Sequence, residues 1–537
     1  GGNLGLGGTT SPGETLHVEG TTRITGKAVF GATTLPTNNG IRVNDTLELP
    51  QKSVDPTNVS NSGVLWVKST SPTTLHFMAS DGTDTDLTAG GGGTIAGSLS
   101  DTYIPIATAA DTLGNFMPAY VENTNMIMGV TPASITTDAD GNTAYGHLAG
   151  QSMTTGDNNV LGGYRAGISL TTGLANVFLG ASAGYAATTS SYNNFIGYNA
   201  GAVGTRGNQN VGIGYYAMAT NQGANNVAIG HNTMEGEVGA DNDDSVAIGA
   251  YALRNISGTA TSNVAIGRSA IEGASTGITS AGQYNVAVGN HSMAGLTSGY
   301  SNVGIGRQAL SSITSGYDNT VVGTQAAATL TTGYYNTYIG KQAGSGATTA
   351  AHSNVGIGLS ALSSAHGANN IAIGRGALSN TTDANQVAIG SSALEANTSG
   401  EKNVAIGFQA LEVNTTGSYN VAMGHEAMEL NVGGYYNVAI GYEALATLAP
   451  NSTEGYNTAL GYSAGTLLTT GTFNTLLGAS AGDSLTTAQR NTMVGHRAGQ
   501  ALTTQSYNTM VGERSGENSS DGIYNTFVGY LAGYNNA

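Results

Sequence analysis

The sequence contains no cysteine in its 537 residues, which excludes disulfide frameworks and thiolate metal sites. Charge is also scarce, because Lys, Arg, Asp and Glu make up only 9% of the residues, against about a quarter in typical proteins. With 16 Lys and Arg and a net charge of −17, the chain has no basic patch long enough to follow a phosphate backbone. No apolar run approaches the ~20 residues of a transmembrane helix. We therefore expect no nucleic-acid partner and no membrane insertion.

Glycine is the residue in excess, with 82 copies, about twice the usual share. Such a composition is typical of disordered, fibrous or repetitive chains. Disorder fits poorly, because 39% of the residues are hydrophobic and they recur at fixed intervals. The excess of glycine therefore directs attention to internal repeats.

A repeat begins at Asn142 and continues to the end of the chain. Its pattern is Asn, usually Val or Thr, a variable residue, an aliphatic residue, Gly, two variable residues, Ala, and then Gly, Leu or Met, as in Asn403–Leu411. We number positions from the asparagine, so that Gly407 occupies position 5. The position-5 glycines of the 23 copies run from Gly146 to Gly529, a mean step of (529 − 146)/22, or 17.4 residues. A step held over nearly 400 residues predicts an all-β solenoid of about 17 residues per turn.

The repeat positions predict the path of one turn. Positions 2 and 4 are apolar with a period of two, which predicts a short strand with these side chains inward. Glycine at position 5 permits a corner, and a second short strand and a Gly-rich turn would complete a two-stranded β-roll. A three-sided coil of about 18 residues is the alternative. A helix is disfavoured, because each glycine costs about 1 kcal/mol in a helix and Thr and Asn also disfavour it.

Asparagine occupies position 1 in 21 of the 23 copies, with Ser245 and Gln386 as substitutes. In a stacked solenoid, equivalent side chains lie about 4.8 Å apart and can hydrogen-bond along the stack. We therefore predict a ladder of asparagine side chains. Its members include Asn263, Asn285, Asn403, Asn420 and Asn437.

Position 8 is alanine in 20 copies and never exceeds a small side chain, which indicates tight packing at residues such as Ala410, Ala427 and Ala444. A thin roll has little interior of its own, and one turn cannot offset about 1–2 kcal/mol per ordered residue. We therefore expect a homotrimer of three rolls around a common axis, with the alanine column as the contact between chains. The alternative is a lone solenoid with alanine at a tight corner.

The chain divides into three regions. The sequence pattern predicts short fibre strands in residues 1–88, a Gly-rich joint and transition in residues 89–140, and the solenoid in residues 141–537. The strands predicted in the first region are 16–19, 23–25, 41–43, 47–49, 64–68 and 75–79.

Many tyrosines precede the repeat asparagine by one or two residues. Tyr419 and Tyr436 fall in successive turns, as do Tyr507 and Tyr524. Stacked tyrosines on an outer edge are candidates for sugar binding, and the alternative is an aromatic ladder that shields the turns.

Other polar residues give weaker signals. Asp138 and Asp140 resemble part of a calcium loop but lack its distal Glu, so a plain turn is the alternative. Four histidines follow position-5 glycines and would form metal rings on a threefold axis, or else are simply exposed: His147, His231, His425 and His496. Glu426 and Glu443 occupy matching positions one turn apart, where they would form either an acid pair or a solvated column.

No nucleophile has a partnered base, so we predict no enzyme, no catalytic residue and no cofactor.

Two sets of residues resemble known families. The phrase at Asn226–Gly230 and Asn403–Gly407 is similar to the head repeats of trimeric autotransporter adhesins, although those repeats are shorter than the spacing in this chain. The stretch Leu4–Gly20 resembles the opening of many bacteriophage tail-fibre proteins, and so does the set of phrases Gly63–Lys68, Leu75–Met78 and Asp81–Thr88.

The resemblance implies a homotrimeric tail fibre on a virion, outside the cell. Its N-terminal region would join other virion tail proteins, and the fibre would attach to a host surface glycan or protein receptor. Such fibres often lose a self-cleaving C-terminal chaperone, which would explain why this chain stops at Ala537. The alternatives are a virion-borne polysaccharide depolymerase and a bacterial trimeric surface adhesin.

Overall fold

The computed structural model divides the chain into two compact units, 1–104 and 105–537. It describes residues 51–52, 64–68, 74–78, 84–86, 119–122, 125–129, 139–203, 207–237, 242–255, 257–273, 282–448 and 454–536. These ranges contain strands and turns and no α-helix. Within them, accordingly, no helix could cross a membrane.

The first unit contains a four-stranded sheet in the order β1-β2-β3-β4. Its strands are β1 Gln51–Lys52, β2 Val64–Lys68, β3 Thr74–Met78 and β4 Asp84–Asp86. Strand β1 pairs with β2 in parallel, and the other two pairings are antiparallel. The strands predicted at 16–19, 23–25, 41–43 and 47–49 lie outside the described residues, so the short-strand character of 1–88 stays a prediction.

The second unit opens with an antiparallel pair, β5 Ala119–Glu122 and β6 Asn125–Gly129. Strand β6 then pairs in parallel with the first of 23 solenoid strands, β7 to β29. These are Thr143–Gly146, Val160–Gly162, Val177–Leu179, Asn194–Ile196, Val211–Ile213, Val227–Ile229, Val246–Ile248, Val264–Ile266, Val286–Val288, Val303–Ile305, Thr320–Val322, Thr337–Ile339, Val355–Ile357, Ile371–Ile373, Val387–Ile389, Val404–Ile406, Val421–Met423, Val438–Ile440, Thr458–Leu460, Thr475–Leu477, Thr492–Val494, Thr509–Val511 and Thr526–Val528.

Each turn contributes one strand to a single parallel sheet. Strand β22, for example, pairs with β23 so that Val404 faces Val421 and Ile406 faces Met423. This register confirms the parallel β-solenoid of about 17 residues per turn. At about 4.8 Å per turn, the 23 strands extend on the order of 110 Å.

The predicted second strand in each turn is wrong for the described residues. After position 5 the backbone enters left-handed conformations that no strand contains, with φ of 55° at Gln409 and 54° at Leu411. Successive turns still hydrogen-bond there, since the Leu411 amide donates to the Ala427 carbonyl at 3.0 Å. Backbone hydrogen bonds therefore connect neighbouring turns in the non-strand part as well as in the sheet.

The strand side chains point the opposite way from the prediction. Position 3 is the buried residue, as at Ala405 and Phe178, which are 0% exposed. Positions 2 and 4 lie on the outer face and are half-buried or exposed, as in the Val227–Ile229 strand. The prediction that positions 2 and 4 face inward is wrong, because a narrow interior accepts only one strand side chain per turn.

The core is filled by two positions that share one volume. Eight turns have a large residue at position 3 and glycine at position 9, and twelve have Ala or Gly at position 3 and Leu, Met or Ile at position 9. No turn has a large residue at both positions. A Cβ at Gly184 would lie 2.5 Å from the ring of Phe178 in the same turn. The interior therefore limits the combined size of the two side chains, and in two of the remaining three turns both are small, at Ala144 with Gly150 and at Ala459 with Gly465.

The backbone conformation at position 9 is unfavourable for any residue except glycine. Leu411 and Met428 have φ of 54° and 50°, in the left-handed region that costs a side chain about 1–2 kcal/mol. Both side chains are fully buried, which contributes about 1.5–3 kcal/mol each. Burial of the side chain therefore offsets the backbone strain.

Glycine at position 5 is required both by its φ angle and by the closeness of the next turn. Gly374 has φ of +140°, and a Cβ there would collide with the backbone carbonyl of Gly390 in the next turn. The equivalent residue is glycine in all 23 turns. Position 5 is thus a place where the backbone of the next turn leaves no room for a side chain.

We predict that Gly374→Ala destabilises its turn by more than about 2 kcal/mol, since it adds a backbone clash to an unfavourable φ. Gly376→Ala is the matched control in the same turn. Gly376 also has a positive φ, of +69°, but its nearest neighbour would be the flexible Glu395 side chain at 3.4 Å. Hydrogen exchange of the flanking strands measures the difference, and equal loss of protection in both variants would contradict the steric explanation.

Candidate functional site

The position-1 asparagines form a continuous buried ladder. The Asn420 side-chain oxygen accepts the backbone N–H of Asn437 at 3.0 Å and its side-chain amide at 3.2 Å. The Asn420 amide donates to the Gly434 carbonyl at 2.7 Å, at the end of its own turn. Each side chain thus ties its own turn closed and joins it to the next. Five predicted members are fully buried: Asn263, Asn285, Asn403, Asn420 and Asn437.

The two substitutes keep the backbone link of the ladder. The Ser245 hydroxyl accepts the Asn263 N–H at 3.1 Å, and the Gln386 side-chain oxygen accepts the Asn403 N–H at 3.1 Å. The structure adds a second, shorter ladder that the sequence reading missed. Here the Asn431 amide donates to Asn414 and the Asn414 amide donates to Asn397, both at 3.0 Å.

We predict that Asn420→Ala destabilises the local turns by about 2–4 kcal/mol, because the buried Asn437 N–H loses its acceptor. Asn420→Ser should cost less, since a serine oxygen serves this purpose at Ser245. Hydrogen exchange at the Asn437 amide measures the effect. If the serine variant loses as much protection as the alanine variant, the backbone link is not the important bond.

The alanine column lies inside the chain. Ala410, Ala427 and Ala444 are each 0% exposed within the single chain. The interpretation of this column as a contact between chains is therefore wrong, because no partner surface can reach it. Small residues are required there because the core of each turn is narrow.

The surface that can meet another chain is the outer face of the sheet. Position 4 is aliphatic or Met in 21 turns, and position 2 is Val or Ile in 14 turns and Thr in eight. Ile229, Ile248 and Ile266 lie in successive turns and are each 36% exposed. In-register pairing aligns these side chains as two parallel columns, of which the position-4 column is apolar and the position-2 column is a mixture of Val, Ile and Thr. We call this surface, formed by positions 2 and 4 of the solenoid strands, the sheet face.

An aromatic stack runs along position 17, directly before the asparagine. Tyr419 stacks on Tyr436 with ring centroids 5.1 Å apart, and Tyr507 stacks on Tyr524 at 4.8 Å. Cations continue the column, since Lys402 lies 4.8 Å from the Tyr419 ring centroid. The full column over eight turns is Lys402, Tyr419, Tyr436, Tyr456, Phe473, Arg490, Tyr507 and Tyr524.

The stacking of the rings leaves little aromatic surface on which a sugar could pack. Carbohydrates commonly pack on the flat face of an aromatic ring, but each internal ring of the column has neighbours on both faces. Tyr436, for example, lies between Tyr419 and Tyr456 at interplanar angles of 21° and 6°. The rings therefore present mainly their edges and hydroxyl groups, a geometry that favours the shielding ladder.

Three of the four histidines at position 6 belong to aromatic columns, whereas Nδ1 of His496 lies 3.8 Å from a carboxylate oxygen of Glu513. His147 stacks on Tyr164 at 5.7 Å, and His231 stacks on Tyr215 at 5.1 Å. His425 lies 5.0 Å from the Phe408 ring and 5.3 Å from the Tyr442 ring. These imidazoles have a role within one chain, as surface stacking partners, that requires no metal.

The acidic residues do not assemble into a metal site within the described residues, where no group of three or more His, Asp or Glu side chains is placed to hold an ion. Asp138 lies outside those residues, and the Asp140 carboxylate accepts the Gly141 N–H at 2.9 Å. Burial and the carboxylates of Glu426, Glu412 and Glu443 raise the pKa of Glu429.

One buried polar pair was not anticipated. The Tyr338 hydroxyl lies 2.7 Å from Nε2 of His366, and His366 Nδ1 lies 2.8 Å from the Ser364 carbonyl oxygen. The carbonyl can only accept, so Nδ1 carries the proton and Nε2 accepts from the tyrosine. Both side chains are fully buried. Burial lowers the pKa of His366 to about 4 and raises that of Tyr338.

This pair predicts acid sensitivity. The folded-state pKa of His366 is below its ordinary 6.5, so its contribution is complete above pH 6.5 and is lost as the pH falls toward about 4. The loss can reach about 3 kcal/mol. Hydrogen exchange of Thr337–Ile373, corrected for intrinsic rates, should show it.

The double variant Tyr338→Phe/His366→Leu is the control, because it removes the titrating imidazole together with the buried hydroxyl that it bonds. It should lack the extra acid sensitivity of the wild-type segment. The same pH dependence in both proteins would assign the effect to other groups.

The fold defines the class of this chain, which is a parallel β-solenoid repeat protein. No protein-family model, curated protein or solved structure matches the chain.

Proposed function

We propose that the chain is a non-catalytic structural fibre of a virion, assembled as a homotrimer through the sheet face. The fibre spaces and mediates attachment to a host cell surface. The exposed apolar sheet face is the observation that carries the proposal, and the resemblance of Leu4–Gly20 to tail-fibre openings supports the virion setting.

The size of the sheet face favours a large partner surface. With about 4.8 Å per turn and three residues of about 3.3 Å across, 23 turns give a strip on the order of 1,000 Å². The largest apolar patch of a typical monomer is about 300–600 Å². A strip this long and regular fits best against another solenoid with the same repeat.

A threefold arrangement places three sheet faces toward one axis. The columns at positions 2 and 4 then replace the alanine column as the contact between chains. Copies of one chain have the same turn spacing, so every turn meets an equivalent turn of its neighbours. Such a rod would carry its N-terminal region toward other tail proteins and its remaining surface toward the host receptor.

Light scattering in dilute buffer tests the assembly, and the expected mass is three times the single-chain mass of 53.8 kDa. Ile389→Lys/Ile406→Lys places two charges on the sheet face, in adjacent turns, and should reduce the mass toward that of one chain. These side chains lie outside the core, so the turns themselves should remain folded.

Ser399→Lys/Thr416→Lys is the matched control, with the same added charge in the same two turns but at position 14. It should remain a trimer. A wild-type mass of one or two chains would refute the threefold fibre, and dissociation of the control as well would show that charge rather than location is responsible.

A further inference from the structure

Position 6, directly after the position-5 glycine, forms one exposed column along an edge of the sheet. Its middle segment carries cations in alternate turns, at Arg268, Arg307, Lys341 and Arg375, all of them exposed. The intervening turns have uncharged residues at this position, which are Asn290, Thr324 and Leu359. We call the four cations the basic column.

Backbone hydrogen bonds fix the register of this column. The N–H of each position-7 residue donates to the position-6 carbonyl of the preceding turn. Gln325 donates to Arg307 at 2.8 Å, and Ser360 donates to Lys341 at 3.0 Å. The intervening turn is bonded in the same way, from Gln342 to Thr324 at 2.9 Å. Successive cations therefore originate two turns, or about 10 Å, apart on one straight line.

The basic column has no acidic partner among the described residues. None of its four side chains takes part in an ion pair there, and the nearby Glu272 pairs with Arg254 at 3.5 Å. Between residues 285 and 382 the only Asp or Glu is Asp318, which precedes its repeat asparagine and so belongs to position 17. A positive segment thus lies within a chain of net charge −17. Acidic residues bound this segment at both ends, with Glu272 in the turn of Arg268, Asp383 in the turn of Arg375 and Glu395 in the turn after that.

We propose that the basic column binds a linear acidic polysaccharide, with anionic groups spaced about 10 Å apart along the polymer. The inference rests on the proposed attachment function and names its ligand class. An extended polyuronate with two-fold screw symmetry carries a carboxylate on every sugar, and the carboxylates on one side of the chain belong to every second sugar. They therefore repeat at about the length of a disaccharide, which matches two turns. Elsewhere the acidic surface repels a polyanion, so binding is confined to this edge.

A nucleic acid fits the column less well. Its strands carry one phosphate per about 3.4 Å of helix axis, much closer than the cations. Four cations would also leave most of those phosphates unpaired. The wide spacing therefore favours a polymer of lower charge density.

Titration of the full chain with polygalacturonate oligosaccharides at low salt tests the proposal, with neutral dextran as the comparison polymer. Arg307→Gln/Lys341→Gln/Arg375→Gln should weaken binding of the polyuronate by about tenfold, since exposed ion pairs are individually modest. Arg165→Gln/Lys402→Gln/Arg490→Gln removes the same charge from other places and should bind within about twofold of wild type.

A second variant tests the spacing at constant charge. Arg307→Thr/Thr324→Arg moves one cation by a single turn, so that it lies next to Lys341. Weaker binding of the polyuronate is expected, because the two-turn interval is broken. Unchanged affinity would overturn the assignment of spacing as the basis of recognition.

The remaining outcomes separate this inference from the fibre proposal. Equal weakening by both triple variants, or no binding by the wild type, would overturn the basic column, while a trimeric mass in light scattering would leave the fibre standing. Tighter binding of single-stranded poly(dT) than of polygalacturonate at the same salt would assign the column to nucleic acid. A monomeric mass with column-dependent polyuronate binding would overturn only the trimer.

Discussion

Every turn of this solenoid depends on hydrogen bonds to the turns beside it. The asparagine at position 1 concentrates that dependence, because one buried side chain closes its own turn and accepts the backbone N–H of the next. If the turn were removed from the stack, the Asn420 N–H would lose its acceptor, the Asn403 side-chain oxygen, and the Asn437 N–H would lose the Asn420 side-chain oxygen. Order in one turn is therefore possible only with its neighbours, as expected for a one-dimensional repeat protein.

The repeat made much of this predictable. The length of the step, the first strand of each turn and the position of the asparagines all follow from residues that recur without regard to context, whereas the second strand predicted in each turn was wrong. The orientation of the strand did not follow. A period of two at Val404 and Ile406 shows that they share a face, but it does not show which face is inside. That choice depends on the width of the core, which only the packed turns define.

The alanine column was misread for a related reason. A position restricted to small residues indicates a close neighbour, and the neighbour of Ala410 is the interior of its own turn. The Tyr338–His366 pair could not be predicted, because its two residues belong to different turns and neither follows the repeat. Compensation between positions 3 and 9, by contrast, was present in the sequence. It is visible when positions 3 and 9 of the same turn are compared with each other, but not when one position is compared across turns.

The separation of inner from outer positions has a consequence for how such a chain can change over generations. Position 5 holds one residue type in 23 turns, whereas position 6, its exposed neighbour, holds eleven. Duplication or deletion of one repeat unit would alter the length of the rod by about 4.8 Å and leave every other turn in register. Length and surface chemistry can then evolve as separate traits, the first by gain or loss of whole units and the second by single substitutions along an edge.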